Sequence, residues 1–438
     1  MVVRDRNDAC PGVVDASPAD DGLIARVRLP GGRIDAARLR ELADVARRFG
    51  TGDVDLTARA NVQLRGLREA DLPAVAAAVA AAGLMPSRSH DRVRNILASP
   101  LAGRDPHALV AADTVVTAID HALCAAPELT ALSGRFLIGV DDGGIPIASA
   151  RHDIDLLAVA RDTFAVHVAG HDTGRRVPAA EAAEAVVRVA HAFLAERADS
   201  GAWHVRELPA GAAAFAAALA AGRARADRPT DRPRAARPPI GVLRQSDARS
   251  AVGATVPLGR LTQRHIAALV ALDADLAITT TRGVVLRDVT DPAATVAALE
   301  AAGLPCDPAS PWLGVTACSG LGACRRALAD VRADAARHAL GRPRTAAATG
   351  SPPAARVDPH RGDPRRVDAH RDDPRRDDTH WVGCTRACGR PAGATLMVAR
   401  EDGTYEAVPA GNPALPALPA GPPSPTAPTS PTAPTDRS

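Results

Sequence analysis

Apolar residues recur at helical spacing in the segment RIDAARLRELADVARRFG, which predicts an amphipathic helix that ends at Gly50. The next segment, DVDLTARANVQLRGL, alternates apolar and polar residues and predicts two strands around a turn. Residues 258–304 repeat the order of residues 31–84, which is helix, strand, polar turn, strand and helix. Both copies contain the pattern V-x-L-R and end in AAGL. We therefore expect a duplicated α+β unit.

The segment between the two copies has the pattern of an α/β domain. GRFLIGVDDGG predicts a strand and a tight turn, FAVHVAG predicts another strand, and a long helix follows Pro178. Residues 357–366 and 367–376 form a direct repeat rich in His, Asp and Arg, which is typical of a metal-binding tract or of a low-complexity insertion; we favour the insertion. The predicted division is 1–104 first half-domain with the N-terminal segment, 105–220 first α/β domain, 221–245 Arg/Pro-rich linker, 246–304 second half-domain, 305–410 cysteine-containing domain with the insertion 342–379, and 411–438 disordered Pro-rich tail.

The charge balance and the hydropathy pattern exclude two classes of partner. The chain has 53 basic and 50 acidic residues, and its net charge of +3 is too small for general nucleic-acid binding. No apolar run reaches the roughly 18 residues of a membrane-spanning helix, and the first residues lack the apolar core of a signal peptide. We therefore expect a cytoplasmic protein with no nucleic-acid or membrane partner.

Every basic residue is an arginine, a side chain that suits carboxylates but is a poor proton donor.

Four of the seven cysteines fall into two close pairs. Five residues separate the members of the first pair and three separate those of the second, and glycines adjoin both. Zinc knuckles use two-residue spacing, whereas a cubane is wider and each thiolate binds a different iron. The spacing favours a [4Fe–4S] cluster over zinc, and a disulfide is the third alternative in a reducing compartment. The predicted ligands are Cys318, Cys324, Cys384 and Cys388.

The cysteine spacing behind a duplicated unit that contains LTARANVQLRG resembles the nitrite/sulfite reductase superfamily. The resemblance implies an α+β fold in which duplicated ferredoxin-like half-domains, related by pseudo-two-fold symmetry, surround a tetrapyrrole site. It also implies two α/β reductase-like domains, of which the second carries a [4Fe–4S] cluster on the four cysteines.

Two further stretches, DACPGVVDASPADDGLIARVRLPGGRI and RNILASPLAGRD, resemble the precorrin-3B synthase family of that superfamily. The resemblance implies an oxidoreductase of cobalamin biosynthesis, a monooxygenase that uses O2 to hydroxylate precorrin-3A and to form a lactone. It further implies a mononuclear non-haem iron and an external electron donor, either NADH through a reductase or a ferredoxin. No dinucleotide-binding glycine motif is present that would bind NADH directly.

Polar residues that alternate in RANVQLR are predicted to lie on one face of a strand. A half-exposed strand is the simple interpretation; the resemblance implies a wall of the tetrapyrrole site, where arginines would bind carboxylates. Arg94 and Asn95 match a block that lines the same site in the superfamily. Arg135 lies in RFL, where reductases have Lys-x-Lys. The predicted substrate-binding residues are Arg59, Asn61, Gln63, Arg65, Arg94, Asn95 and Arg135.

Two other functions stay open. A sirohaem-dependent sulfite or nitrite reductase is the first, although the Lys-x-Lys pattern has become Arg135-Phe136-Leu137. A non-catalytic iron–sulfur or zinc protein is the second. His152 and His171 are conceivable iron ligands, but their spacing defines no two-histidine, one-carboxylate site, so neither they nor any catalytic residue is assigned. The role of Cys10 is left open.

Overall fold

The computed structural model describes residues 8, 10–147, 151–197, 200–208, 215, 217, 219, 238–341, 378–391 and 393–410. Most of the predicted linker, nearly all of the predicted insertion with its His-rich repeat, and the predicted tail lie outside the described residues. These segments are 221–237, 342–377 and 411–438.

The first half-domain is an antiparallel sheet covered by two helices. Its first helix begins where the Asp35 carboxylate accepts a hydrogen bond from the backbone N–H of Arg38 at 2.7 Å. The same helix ends before Gly50, as predicted. The elements are β1 (Ser17–Ala19), β2 (Gly22–Val27), β3 (Arg33–Ile34), α1 (Ala36–Phe49), β4 (Val54–Leu56), β5 (Val62–Leu67) and α2 (Leu72–Ala81).

The first α/β domain follows. Its sheet has a parallel part that continues into an antiparallel hairpin, and its two helices bury Val116, Ile119, Val186 and Phe193 against the strands. The elements are β6 (Ile96–Ala98), α3 (Ala112–Cys124), β7 (Ile138–Asp141), β8 (Ile154–Ala160), β9 (Thr163–Val168), β10 (His171–Pro178) and α4 (Ala182–Arg197).

The second half-domain repeats the first. Its first helix is also capped at the N-terminus, where the Thr262 hydroxyl accepts a hydrogen bond from the backbone N–H of His265. The elements are β11 (Gly241–Arg244), β12 (Ser250–Thr255), β13 (Arg260–Leu261), α5 (Gln263–Ala271), β14 (Asp275–Ile278), β15 (Gly283–Val289) and α6 (Pro292–Ala302).

The two half-domains exchange a short strand. β13 of the second copy pairs with β4 of the first, and β3 of the first copy pairs with β14 of the second. The two sheets therefore have matching orders, β1-β2-β5-β4-β13 and β11-β12-β15-β14-β3. Leu42 and Leu64 from one copy and Leu269 and Leu286 from the other belong to one hydrophobic core. The duplicated halves thus form a single pseudo-two-fold unit.

The last described segment repeats the α/β domain in shortened form. In each domain the first three strands run parallel, and the fourth pairs antiparallel with the third. A helix connects the first two strands in both domains. The duplication thus includes the α/β layer as well as the ferredoxin-like layer. The elements are β16 (Val315–Ala317), α7 (Val331–Gly341), β17 (Thr379–Val382), β18 (Thr395–Ala399) and β19 (Tyr405–Val408).

Three sequence-based boundaries require correction. β11 lies within the predicted linker, because residues 241–244 pair with β12 and complete the second sheet. Each repeat also begins earlier than predicted, at the hairpins β1–β2 and β11–β12. β5 begins at Val62, so Arg59 lies in the preceding turn and does not belong to the alternating strand. Over the described parts of the chain, no helix is long and apolar enough to cross a membrane.

Candidate functional site

Two parallel strands bring the cysteine pairs together. Cys318 directly follows β16, and Cys384 follows β17 by two residues, at the same end of the sheet. The backbone N–H of Cys318 donates to the carbonyl of Trp381 at 2.9 Å. The N–H of Gly383 donates to the Cys318 sulfur at 3.4 Å. Both cysteine loops are therefore fixed to one sheet edge, although 65 positions separate Gly383 from Cys318 in the sequence.

All four predicted ligands lie in one electrostatic environment. Burial raises the pKa of Cys388, Arg386 opposes this, and the nearby thiols of Cys384, Cys318 and Cys324 raise the pKa further. The four cysteines are thus close enough for each thiolate to disfavour the ionisation of the others, a charge that a bound cation would offset. Within the described residues, no three His, Cys, Asp or Glu side chains form a group that could hold a metal ion.

The loops that carry these cysteines are shaped by glycine and by His380. A Cβ at Gly383 would lie 2.5 Å from the Ala327 Cβ, so only glycine permits this approach of the two loops. His380 is fully buried, and its ring joins the Thr316 hydroxyl (2.8 Å) to the Cys388 carbonyl (2.9 Å). Burial lowers the pKa of His380 to about 4, so the ring is neutral at physiological pH. These hydrogen bonds fix the loop that carries Cys384 and Cys388 to the strands beneath it.

The first α/β domain has the same loop geometry without the thiols. Ser99 follows β6 as Cys318 follows β16, and its N–H donates to the Val140 carbonyl at 3.2 Å. The backbone N–H of Asp142 donates to the Ser99 hydroxyl at 3.1 Å, the counterpart of the Gly383 to Cys318 contact. One copy of the duplicated loop thus carries thiols and the other does not.

A second site is a group of four arginines, Arg26, Arg28, Arg59 and Arg135, which we call the arginine cluster. Arg26 donates to the Gln63 side chain at 2.6 Å, and Arg59 to the carbonyl of Gly134 at 3.3 Å. Arg28 is 1% exposed and donates to the carbonyl of Pro11 at 3.1 Å. Arg135 stacks over the Trp203 ring at 4.9 Å.

The positive charge of the arginine cluster is only partly balanced, by the carboxylates of Asp8, Asp91 and Asp153 at longer range. Within the described chain, no carboxylate lies within salt-bridge distance of these four guanidinium groups. Burial lowers the pKa of Arg28 to about 9, and the charge of Arg26 adds to this effect. Burial is also the main cause of the lowered pKa of Arg26 and of Arg59, and Arg135 contributes to both. The Nε and Nη2 atoms of Arg28 are buried without a hydrogen-bond partner among the described residues. This is the electrostatic environment of an anion-binding site.

The polar residues predicted near Arg59 contribute to the same region in different ways. Gln63 accepts the hydrogen bond from Arg26. Asn61 and Asn95 are buried, and Asn61 accepts from the backbone of Leu29 at 2.9 Å. The Asn95 amide donates to the Gly134 carbonyl at 3.0 Å, which is the acceptor that Arg59 also uses. The two asparagines therefore fix the backbone around the arginine cluster.

Arg65 and Arg94 differ from the prediction because their guanidinium groups bind carboxylates of the chain. Arg65 makes two hydrogen bonds to Asp21, at 2.9 and 3.0 Å. Arg94 makes two to Asp120, both at 2.7 Å, with side-chain exposures of 5% and 13%. Both ion pairs are largely buried, so the geometry favours structural roles for these two arginines.

Leu137 and the two candidate histidines lie in different surroundings from one another. Leu137, at the second position of the reductase Lys-x-Lys pattern, is 2% exposed and belongs to the hydrophobic core. His152 is buried against Asp155, whereas His171 is exposed on β10. Sequence reasoning missed Arg26 and Arg28. Their alternation in LIARVRL was the available signal, because residues two apart on a strand share a face.

Comparison with known proteins agrees with this architecture. Residues 17–82 match the nitrite/sulfite reductase ferredoxin-like half domain. Over 156 residues the chain is 32% identical to a precorrin-3B synthase from Sinorhizobium sp; the match spans 35% of this chain and 33% of that protein. The chain resembles precorrin-3B synthase. These matches confirm the resemblance to the precorrin-3B synthase family and to the nitrite/sulfite reductase superfamily that the sequence indicated.

The same comparison includes nitrite reductases. A ferredoxin–nitrite reductase from Synechococcus elongatus is 32% identical over 196 residues, which is 41% of this chain and 38% of that enzyme. The matches to these two curated relatives span little more than a third of either relative. The Mycobacterium tuberculosis NirA structure superposes with a TM-score of 0.67 at 21% identity, over 88% of this chain and 73% of that one. This likeness confirms the predicted fold class of α+β with duplicated half-domains.

Proposed function

We propose that this chain is a precorrin-3B synthase-like monooxygenase, which uses O2 to hydroxylate precorrin-3A and to form a lactone in aerobic cobalamin biosynthesis. The observation that supports this most directly is the arginine cluster, which offers four guanidinium groups with no carboxylate of the described residues within salt-bridge distance. A precorrin carries acetate and propionate side chains, so it supplies the anionic groups that this cluster lacks. Arg94, Asn95, Asn61 and Arg65 would support the site through the contacts described above.

The buried position of Arg28 determines what it would do to the substrate. Its unpartnered Nε and Nη2 atoms are buried, so they can donate to a carboxylate only if that group enters the cluster. Arg26 is already oriented by Gln63, and Arg59 by the Gly134 carbonyl. Prior orientation reduces the conformational entropy that binding costs. The cluster would thus hold the macrocycle in one orientation.

Cys318, Cys324, Cys384 and Cys388 would hold a [4Fe–4S] cluster, which supplies electrons one at a time when bound. An external donor, either a ferredoxin or a reductase that uses NADH, would deliver these electrons. Arg326 and Arg386 are exposed on the cysteine loops that also carry the exposed Leu321 and Leu328, and Arg325 there forms an ion pair with Asp20 at 3.2 Å. A positively charged surface with apolar contacts suits a small acidic electron carrier. The further non-haem iron implied by the resemblance has no ligand set that we assign.

A sirohaem-dependent nitrite or sulfite reductase is the alternative, favoured by the similarity to ferredoxin–nitrite reductases. Reduction of these anions consumes many protons, and a lysine can deliver them more readily than an arginine. The chain contains no lysine, and the core position of Leu137 places no cation at the second basic position of the reductase pattern. These observations support the monooxygenase over the reductase.

The test is turnover of precorrin-3A with an iron-replete protein, a chemical reductant and 18O2. Insertion of one oxygen atom, with the other reduced to water by two electrons and two protons, would add a single 18O label to the product. We expect labelled product only with O2 present. Consumption of nitrite or sulfite without any labelled tetrapyrrole would refute the proposal and support the reductase. The exposed Arg68 provides a matched control, because Arg68→Met should retain activity whereas Arg28→Met should lose it.

A further inference from the structure

Cys10 lies at the edge of the arginine cluster. Its sulfur accepts a hydrogen bond from Nη1 of Arg26 at 3.7 Å, and its side chain is half-buried. The Asp8 carboxylate fixes the Cys10 backbone, accepting its N–H at 2.9 Å, and also accepts the Ser133 hydroxyl at 3.0 Å. A Cβ at Gly134 would lie 3.0 Å from the Cβ of Cys10, so glycine leaves room for the thiol. The segment that carries Cys10 is therefore held in place by long-range contacts.

The groups that face Cys10 are mainly cationic. A negative charge on its sulfur stabilises the protonated forms of Arg26, Arg28 and Arg59, which places all three guanidinium groups within electrostatic range. Arg28 adds an independent observation: it donates to the carbonyl of Pro11, the next residue after Cys10, and two of its buried nitrogens have no partner among the described residues. A thiolate formed at Cys10 would accept the hydrogen bond from Arg26, and its half-buried position leaves the sulfur accessible to a small oxidant.

We propose that Cys10 is a modification site, at which a hydroperoxide oxidises the thiolate to a sulfenic acid. The thiolate sulfur attacks one peroxide oxygen, a sulfur–oxygen bond forms and the oxygen–oxygen bond breaks. Sulfur loses two electrons, and the other oxygen of hydrogen peroxide leaves as hydroxide, which a buffer acid protonates to water. The guanidinium groups of Arg26 and Arg28 stabilise the thiolate before the reaction and the departing hydroxide during it.

The new oxygen would accept hydrogen bonds from the unpartnered nitrogens of Arg28. It would then occupy space that a bound carboxylate needs, so oxidation of Cys10 would weaken anion binding by the arginine cluster. This inference goes beyond the proposed function and does not depend on it, because it requires only the cluster and the thiol. A chain that oxidises at Cys10 but does not turn over precorrin-3A would support the inference and refute the proposed function.

Cys124 provides an internal control, because it is also free and half-buried but lies beside the Asp120 carboxylate as well as one arginine, Arg94. Burial and the Asp120 carboxylate raise the pKa of Cys124. The full chain is treated with hydrogen peroxide and a 1,3-diketone trap, and labelling is measured on the peptides that contain Cys10 and Cys124. We expect Cys10 to be labelled at least about tenfold faster, which is the low end of rate enhancement by a focused electrostatic field. Equal rates at the two cysteines would overturn the proposal.

Two further measurements identify the cause of the reactivity. Citrate, a tricarboxylate, should slow labelling of Cys10 but not of Cys124, because it competes for the arginine cluster. Arg26→Gln should slow labelling of Cys10 severalfold, whereas Arg26→Lys, which keeps the charge, should restore most of it. If the reaction is fast but indifferent to citrate and to both variants, the arginines do not activate the thiol and the proposal is wrong. A folded spectrum for each variant separates this outcome from misfolding.

Discussion

Individual arginines serve two purposes in this chain, and the difference lies in where their carboxylate partners are. Arg65 and Arg94 face Asp21 and Asp120, which are 44 and 26 positions away in the sequence. Arg26 and Arg28 face other arginines and a thiol. The sequence shows an arginine at each position but not its partner, because the partner is placed by tertiary folding. This is why the sequence grouped Arg59 and Arg135 with Arg65 and Arg94 as one set of substrate-binding candidates.

Replacement of Arg94 tests the structural role directly. Arg94→Met leaves the Asp120 carboxylate unpaired and largely buried, so we expect the free energy of unfolding to fall by about 3 to 5 kcal/mol. Urea unfolding measures this change. In the double variant Arg94→Met/Asp120→Leu no unpaired charge remains, and most of the stability should return. An unchanged unfolding midpoint together with lost ligand binding would instead assign Arg94 to the substrate site.

Replacement of Arg28 should have the opposite signature. Arg28→Met removes a buried charge that lies among like charges, so stability should be unchanged or higher. Binding of a polycarboxylate should weaken by about tenfold to a hundredfold, the equivalent of one or two charge-assisted hydrogen bonds. Calorimetric titration with citrate and a thermal melt of the same sample give both quantities. A clear loss of stability with unchanged citrate binding would show that Arg28 stabilises the fold and does not bind carboxylates.

At the scale of elements, the longer helices and strands were predictable and the exchanged strands were not. The apolar spacing of α1, its end at Gly50 and the β4–β5 pair all appear in the sequence pattern. β3 and β13 are two residues long, too short for any periodic signal. Their pairing depends on the fold as a whole, because each completes the sheet of the other copy. The duplication could thus be recognised from the sequence, but not the way in which the copies are joined.

The exchange predicts that the two half-domains unfold together. Ile34 in β3 and Leu261 in β13 are each at most 1% exposed. Ile34→Ala and Leu261→Ala should each lower the free energy of unfolding by roughly 2 to 5 kcal/mol. Each should also leave one common transition for the two half-domains. Circular dichroism during urea unfolding provides the measurement. Loss of one half-domain at low urea, with the other intact, would show that the halves are independent.

His380 links an element of the sheet to a cysteine loop. His380→Leu removes the hydrogen bonds to Thr316 and to the Cys388 carbonyl, and the loop should hold its metal less firmly. Loss of such a supporting contact typically costs roughly 10- to 100-fold in metal affinity. Iron retention during dialysis against a chelator measures the effect, and Thr316→Val, which removes one of the two contacts, should be intermediate. Equal iron retention in all three proteins would show that His380 does not support the site.

At the scale of the whole molecule, the duplicated α/β domains share one loop geometry, and only the second carries cysteines in these loops. The cysteine spacing was visible in the sequence, and parallel strands explain how distant pairs meet. The arginine cluster was only partly visible, because it combines β2, the turn before β5 and the loop before β7. Cys10 joins these elements from the N-terminal segment. Because the site is assembled from four separate segments, no single stretch of the sequence carries a pattern that would identify it.

The proposed function requires that the four cysteines hold a [4Fe–4S] cluster in an enzyme that acts on a free tetrapyrrole. The most direct test is the absorption spectrum of the protein purified without oxygen, with iron, sulfide and zinc content measured on the same sample. The proposed function predicts a broad iron–sulfur band, about four irons or slightly more per chain, and no sirohaem bands. Strong sirohaem bands would contradict it and indicate a reductase, and a colourless zinc protein would contradict both enzyme functions.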